Sequence, residues 1–194
     1  MTEIVIRPAT ADRFDDAQHA LTGGGDGAGC QCAWWTLTNA QFQSTTKEER
    51  RDLLRDETRR EVPPALIAYV DGEAAGWVRV GPRVAQPRLA RTRAIASGMQ
   101  GPLDDEEIWA ISCFVVRREF RSQGLNTQLL DAAVDFARDR GARVVEGYPI
   151  DTSAKKHSSN ELFHGTLSVF ERQGFTEIAR PKPDRVVVSL ALTE

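Results

Sequence analysis

Ile108-Trp-Ala-Ile-Ser-Cys-Phe-Val-Val116 is followed by Arg117-Arg-Glu-Phe-Arg-Ser-Gln123 and then by Gly124-Leu-Asn-Thr-Gln-Leu-Leu130. The first run is apolar and of strand length. The second is a polar turn. The third opens a helix, because Leu125, Leu129, Leu130, Ala133, Val134 and Ala137 recur at the helical period until Gly141 stops it. A strand–turn–helix of this form leaves the N–H groups of Ser122 to Thr127 at a helix N-terminus, without helical partners and at the positive end of the dipole. Phosphate oxygens bind at such a place. Gly124 lets a ligand approach the backbone closely, and Arg121 adds a fixed positive charge. The chemistry points to a phosphate or pyrophosphate ligand.

Working outward, Val144–Tyr148 reads as a further buried strand stopped by Pro149, and a short helix is expected from Leu162 to Gln173 before Gly174. Phe175–Ala179 and Val186–Leu192 read as two closing strands. Towards the N-terminus, Glu3–Arg7 is a first strand and a helix runs from Thr10 to about Leu21. Gly23–Gly29 is a mobile connection. Thr46 and Glu49 form a capping box for a charged helix to about Arg60. Ala65–Val70 and Ala75–Val80 flank Asp71-Gly72, a hairpin signal. Residues 81–107 show no clear period. The order is β-α-α-β-β-β-α-β-α-β-β, expected to form one domain over residues 1–194.

The chain has 194 residues, 25 basic and 28 acidic, for a net charge of −3. This mildly acidic balance argues against a nucleic-acid or anionic-membrane partner. No stretch approaches a membrane span, no signal peptide is visible, and three cysteines are too few for a disulfide scaffold, so the cytoplasm is expected.

The stretch Val116–Asn126 resembles the acetyl-CoA signature of the GNAT N-acetyltransferase superfamily, Arg/Gln-x-x-Gly-x-Gly/Ala between a hydrophobic strand and a helix with paired leucines. Leu167-Ser-Val-Phe-Glu-Arg-Gln-Gly-Phe175 is similar to the last helix of that superfamily, and the element order agrees with it over nearly the whole chain. The resemblance implies an α/β (α+β) fold, with a mixed, mostly antiparallel sheet of about seven strands, flanked by about four helices, and a splay between strands 108–116 and 144–148. It also implies a CoA thioester, most often acetyl-CoA, with pantetheine along Phe114, Val115 and Val116. Pyrophosphate would lie on Arg121, Ser122, Gln123, Gly124, Leu125, Asn126 and Thr127. The implied reaction is direct attack of a primary amine, from a small molecule or peptide, on the thioester, in a monomer or homodimer.

Three positions depart from the superfamily pattern. Asn126 stands where Gly or Ala is usual. Phe170 replaces a Tyr that commonly protonates the departing thiolate. Ser112 replaces a strand Glu that commonly serves as general base. With those positions vacant, Tyr148 is a candidate acid, Glu146 a candidate base acting through water, and Ser168 a candidate for holding a water or the cofactor. Trp34 and Trp35, with Phe42, can wall an acceptor pocket or simply bury the first helix. Cys30 and Cys32 lack the further ligands of a zinc site, so no metal is expected. Arg83, Arg88, Arg91 and Arg93 form a basic loop, either an anion site or a solvated segment neutralised by Asp104–Glu107. The vacant acid and base positions also admit a second reading, a regulatory or interaction module that binds acyl-CoA without catalysis.

Overall fold

The computed structural model describes residues 2–192. Seven strands form one sheet in the order β1-β2-β3-β4-β5-β7-β6. They are β1 (Ile4–Pro8), β2 (Ala65–Val70), β3 (Glu73–Pro82), β4 (Ile108–Val116), β5 (Val144–Gly147), β6 (Thr176–Lys182) and β7 (Arg185–Ala191). Only β4 and β5 run parallel; every other neighbouring pair is antiparallel. The fold class is therefore the expected α/β domain with a seven-stranded mixed sheet.

Alternation along the strands sends residues to two cores. Leu66, Val78, Ile111 and Phe114 face one side, where they meet α7 (Leu125–Arg138) and α8 (Leu167–Arg172). Ile67, Trp77, Ala110 and Cys113 face the other, with Phe14 and Ala17 of α1 (Phe14–Ala20) and Leu54 of α4 (Lys47–Thr58). Leu129 and Leu130 are fully buried. Burying each is worth about 1.5–3 kcal/mol. The Thr46–Glu49 capping box starts α4 as expected.

Four shorter helices join these: α2 (Gly27–Cys30), α3 (Asn39–Ser44), α5 (Arg88–Arg91) and α6 (Arg93–Ala96). The last two, with a 3₁₀ turn at Arg83–Ala85, fill the segment whose sequence showed no period. The single helix expected from Leu162 to Gln173 is two pieces. A 3₁₀ stretch, Ser159–His164, ends at Gly165, where φ is +78°, and α8 begins at Leu167. The left-handed glycine turns the chain so that Ile150 can bridge Thr166 and Arg185.

Two irregularities shape the centre. The β4–β5 register runs from Ile108↔Val144 only to Ile111↔Gly147, so Cys113–Val116 have β3 on one side and no β5 partner on the other. The β3–β4 register also slips between Arg79 and Val80, skipping Ser112. This bulge sends Ala110 and Cys113 to the same core, three residues apart.

Candidate active site

A cleft of about 950 Å³ runs along Cys113–Val116, the part of β4 that β5 leaves unpaired. One end is the turn after β4. Ser122 and Gly124 both take left-handed backbone conformations, φ +63° and +76°. They curl the chain into α7, whose leading N–H groups lack intrahelical partners. A Cβ built on Gly124 would meet nothing within 4 Å, so the space before this helix end is open. Arg121 is steered by a bond from its Nε to the Val116 carbonyl, 3.1 Å, and has no carboxylate partner among the described residues. Asn126 Oδ1 is buried on the cleft wall without a partner. Of the residues expected to hold the cofactor, Phe114, Val115, Val116, Arg121, Ser122, Gly124, Leu125, Asn126 and Thr127 line this one cleft. Gln123 does not; its side chain bonds back to the Glu119 carbonyl at 3.4 Å.

The other end is aromatic. Trp34, Trp35, Phe42 and Phe163 line it, with Cys30, Cys32 and Cys113 between them. Trp34 meets Phe42 edge-on at 5.0 Å between centroids. Guanidiniums already cover both rings, Arg88 over Trp34 at 3.6 Å and Arg50 over Phe42 at 4.1 Å. Trp34 and Trp35 line the cleft, and buried Trp35 also belongs to the core that holds α1.

Cys32 reaches this place through strained backbone. Gln31 and Cys32 are both left-handed at φ +53°. Gln31 is pinned beneath by its bonds with Gln18, 2.7 Å, and the Ala28 carbonyl, 2.9 Å. The Cys32 sulfur accepts the Trp77 indole N–H at 3.1 Å. A bond from the Cys113 thiol holds the Cys32 thiol below the usual range, against the effect of burial and with help from the Arg79 charge. The same bond, together with burial, raises Cys113. Burial and the nearby Cys32 push Cys30 up to about 11. Arg79 itself is locked to Glu57 by two bonds, 2.6 and 3.1 Å.

The three residues expected to run the chemistry do not line the cleft. Glu146 is fully buried in an ion pair with Arg83, 2.8 Å, and accepts the Tyr148 hydroxyl at 3.0 Å. Burial and the Glu146 charge raise the Tyr148 phenol well above its usual range. Neither group lines the cleft; the carboxylate is paired with Arg83, which is itself held by the carbonyls of Gln100 and Pro102. Ser168 is exposed, and its hydroxyl lies 3.4 Å from that of Thr166. The loop expected to present four arginines presents fewer, since Arg83 and Arg88 are buried. Asp105 and Glu107 neutralise Arg143 rather than that loop.

Ser112 is buried and its hydroxyl bonds to Gln86. Phe170 is wholly buried between Phe114 and Phe175, with its ring against Gly147. Cleft residues absent from the sequence reading include Arg50, Phe163 and Arg172. Arg50 lies in a charged helix and Arg172 in an amphipathic one, so neither carried a local signal of its own.

The sheet thus splays at β4 and β5 and opens beside the N-terminus of α7. The Acetyltransferase (GNAT) family matches residues 32–164, and the chain belongs to that family. It is accordingly an acyltransferase that binds a CoA-type cofactor. No curated protein matches it. Among solved structures, the chain is similar to a ribosomal-protein-alanine N-acetyltransferase from Brucella melitensis, with 18% identity, TM-score 0.57, and 97% and 99% of the two chains covered. It is also similar to an N-acetyltransferase from Staphylococcus aureus Mu50, with 16% identity, TM-score 0.58, and 98% and 99% covered. A third is the PaiA N-acetyltransferase from Thermoplasma acidophilum in complex with coenzyme A, with 12% identity, TM-score 0.56, and 98% and 99% covered. At these identities the likeness is one of fold. No helix among the described residues is long and apolar enough to cross a membrane.

Proposed function

We propose that the chain, as one domain over residues 1–194, transfers the acetyl group of acetyl-CoA to the primary amine of a small-molecule or peptide acceptor by direct attack. The observation that carries this is a single cleft joining the unpaired edge of β4, an open helix N-terminus and an aromatic chamber. The pyrophosphate lies on the turn Arg121–Thr127, where the N–H groups and Arg121 supply the positive field. Turning the Asn126 amide places its NH₂ where Oδ1 lacks a partner, and gives the phosphate a further donor. Pantetheine pairs with the free backbone edge of Phe114–Val116, and the bulge at Ser112 sets the thioester beside Cys113 and the aromatic wall. Backbone N–H groups there polarise the thioester carbonyl. Free cysteines are consistent with a cytoplasmic setting.

The buried Ser112 and Phe170 favour a second reading, acyl-CoA binding without turnover. One experiment separates the two: thermal shift with acetyl-CoA, alongside release of CoA thiol across a panel of amines. A shift with turnover supports the enzyme, a shift without turnover on any amine supports the module, and no shift overturns both.

A further inference from the structure

The acceptor end of the cleft holds aromatic rings and positive charge but no group suited to take a proton from an ammonium. Among the described residues, Asp26 is the only carboxylate on the cleft wall. It lies two residues from Gly24, which packs against the Arg121 guanidinium at the phosphate end. No histidine lines the cleft. His164 packs edge-on against Trp35, and burial lowers its ring to about 3. Cys30 and Cys113 are held protonated, and Cys32, whose thiol is lowered while its sulfur accepts the Trp77 N–H, is a weak base toward an ammonium. Glu146, the nearest strand carboxylate in sequence, is closed off by Arg83.

The charge on the wall opposes a cation. Arg50 bonds only to carbonyls and the Thr45 hydroxyl, and neither Arg50 nor Arg172 has a carboxylate partner among the described residues. An aromatic cage would ordinarily seat an ammonium by cation–π attraction. Here Arg88 and Arg50 already occupy faces of Trp34 and Phe42. Those two faces are closed to a cation, and the remaining ring faces offer stacking surface beside the Arg50 and Arg172 charges, which repel an ammonium.

We infer that the acceptor is an aromatic primary amine, uncharged at neutral pH, whose ring stacks among Trp34, Trp35 and Phe163. This rests on the N-acetyltransfer reading and names its substrate class. Conjugation with the ring keeps such a nitrogen unprotonated, so attack needs no prior base. The nitrogen lone pair bonds to the thioester carbon and the C–S bond breaks. The attacking nitrogen becomes cationic and strongly acidic as it bonds. Its proton then passes to the departing CoA sulfur, directly or through water, giving the amide and free CoA thiol. One chemical property of the acceptor thus removes the need for both the base missing at Ser112 and the acid missing at Phe170. An alkyl ammonium, with a pKa near the ~10 of lysine, must first lose a proton before it can attack.

The test compares two isomers, 4-methylaniline and benzylamine, which share a ring and differ in amine basicity. CoA-thiol release is measured between about pH 7 and pH 9, alongside acetyl-CoA thermal shift. The expected result is a kcat/KM for 4-methylaniline at least about tenfold above that for benzylamine at pH 7, with little pH dependence. Trp34→Ala should raise KM for 4-methylaniline several-fold and leave the acetyl-CoA shift in place. Preference for benzylamine, with a rate rising about tenfold per pH unit, overturns the inference and leaves N-acetyltransfer standing. Turnover of only non-aromatic amines, or of neither isomer despite an acetyl-CoA shift, overturns it as well. Absence of the shift removes the underlying reading instead.

Discussion

Arg83 Nη1 lies 2.8 Å from Glu146 Oε1, and both side chains are 1% exposed. The pair ties the segment after β3 to the parallel strand β5, and Tyr148 completes it from the same face of the chain. Removing one partner strands a buried charge, which costs about 3–5 kcal/mol. Glu146→Gln is expected to lower unfolding free energy by that amount in urea titrations. Adding Arg83→Met should recover most of it. Tyr148→Phe should cost about 1 kcal/mol and leave kcat unchanged once the protein is folded. A large kcat loss at full stability would return Tyr148 to the chemistry.

At Gly124 the constraint is conformational. Space is open there, but φ of +76° suits glycine, so a side chain adds about 1–2 kcal/mol of strain and projects where the phosphates would lie. Gly124→Trp should remain folded by circular dichroism and lose the thermal shift with CoA. Retention of the full shift would move the phosphate site elsewhere.

His164 supplies a pH prediction. Burial, then the Arg185 charge, lower its ring from the ordinary 6.5 to about 3, against a backbone bond with Ser112. Between those values the unfolded chain takes a proton that the folded one refuses. Stability from this group is therefore complete above pH 6.5 and is lost as pH falls towards 3, at up to about 1.4 kcal/mol per unit. His164→Phe retains the ring packing against Trp35 and Phe163. Its stability, followed by urea titration across this range, should fall less steeply than that of the parent chain.

The three thiols differ in the form they hold. Cys32 is lowered, whereas Cys30 and Cys113 are raised. Since thiolate is the reactive species, iodoacetamide at neutral pH should label Cys32 ahead of Cys113, which is buried beside it. Peptide mass spectrometry reads the site, and acetyl-CoA should slow labelling because Cys32 lines the same cleft. Trp77→Phe removes the indole donor and should shift the onset of labelling to higher pH. Labelling of Cys113 ahead of Cys32 would contradict the hydrogen-bond arrangement.

Much of the fold was legible because its determinants are local. The leucine stripe of α7, the Thr46–Glu49 box and the Asp71-Gly72 turn each act within a few residues. Gly165 was the local signal underread: its left-handed turn breaks what the apolar pattern presented as one helix. The site divided differently. The turn proposed for the phosphates is contiguous in sequence, and of its residues only Gln123 stays off the cleft wall. The site's chemistry was misplaced, because alternation put Glu146 and Tyr148 on one face without showing what that face meets.

The amino-acid sequence by itself determined the strand–turn–helix proposed to hold the phosphates, since helix termini, glycine geometry and hydrophobic period are properties of neighbouring residues. Only the tertiary structure decided which charges are available. Arg83 finds Glu146 across 63 positions, and Cys32 finds Trp77 across 45. The physical reason is that a carboxylate or thiol takes its character from burial and from the partners that long-range packing brings to it, and neither is written in the spacing of nearby residues.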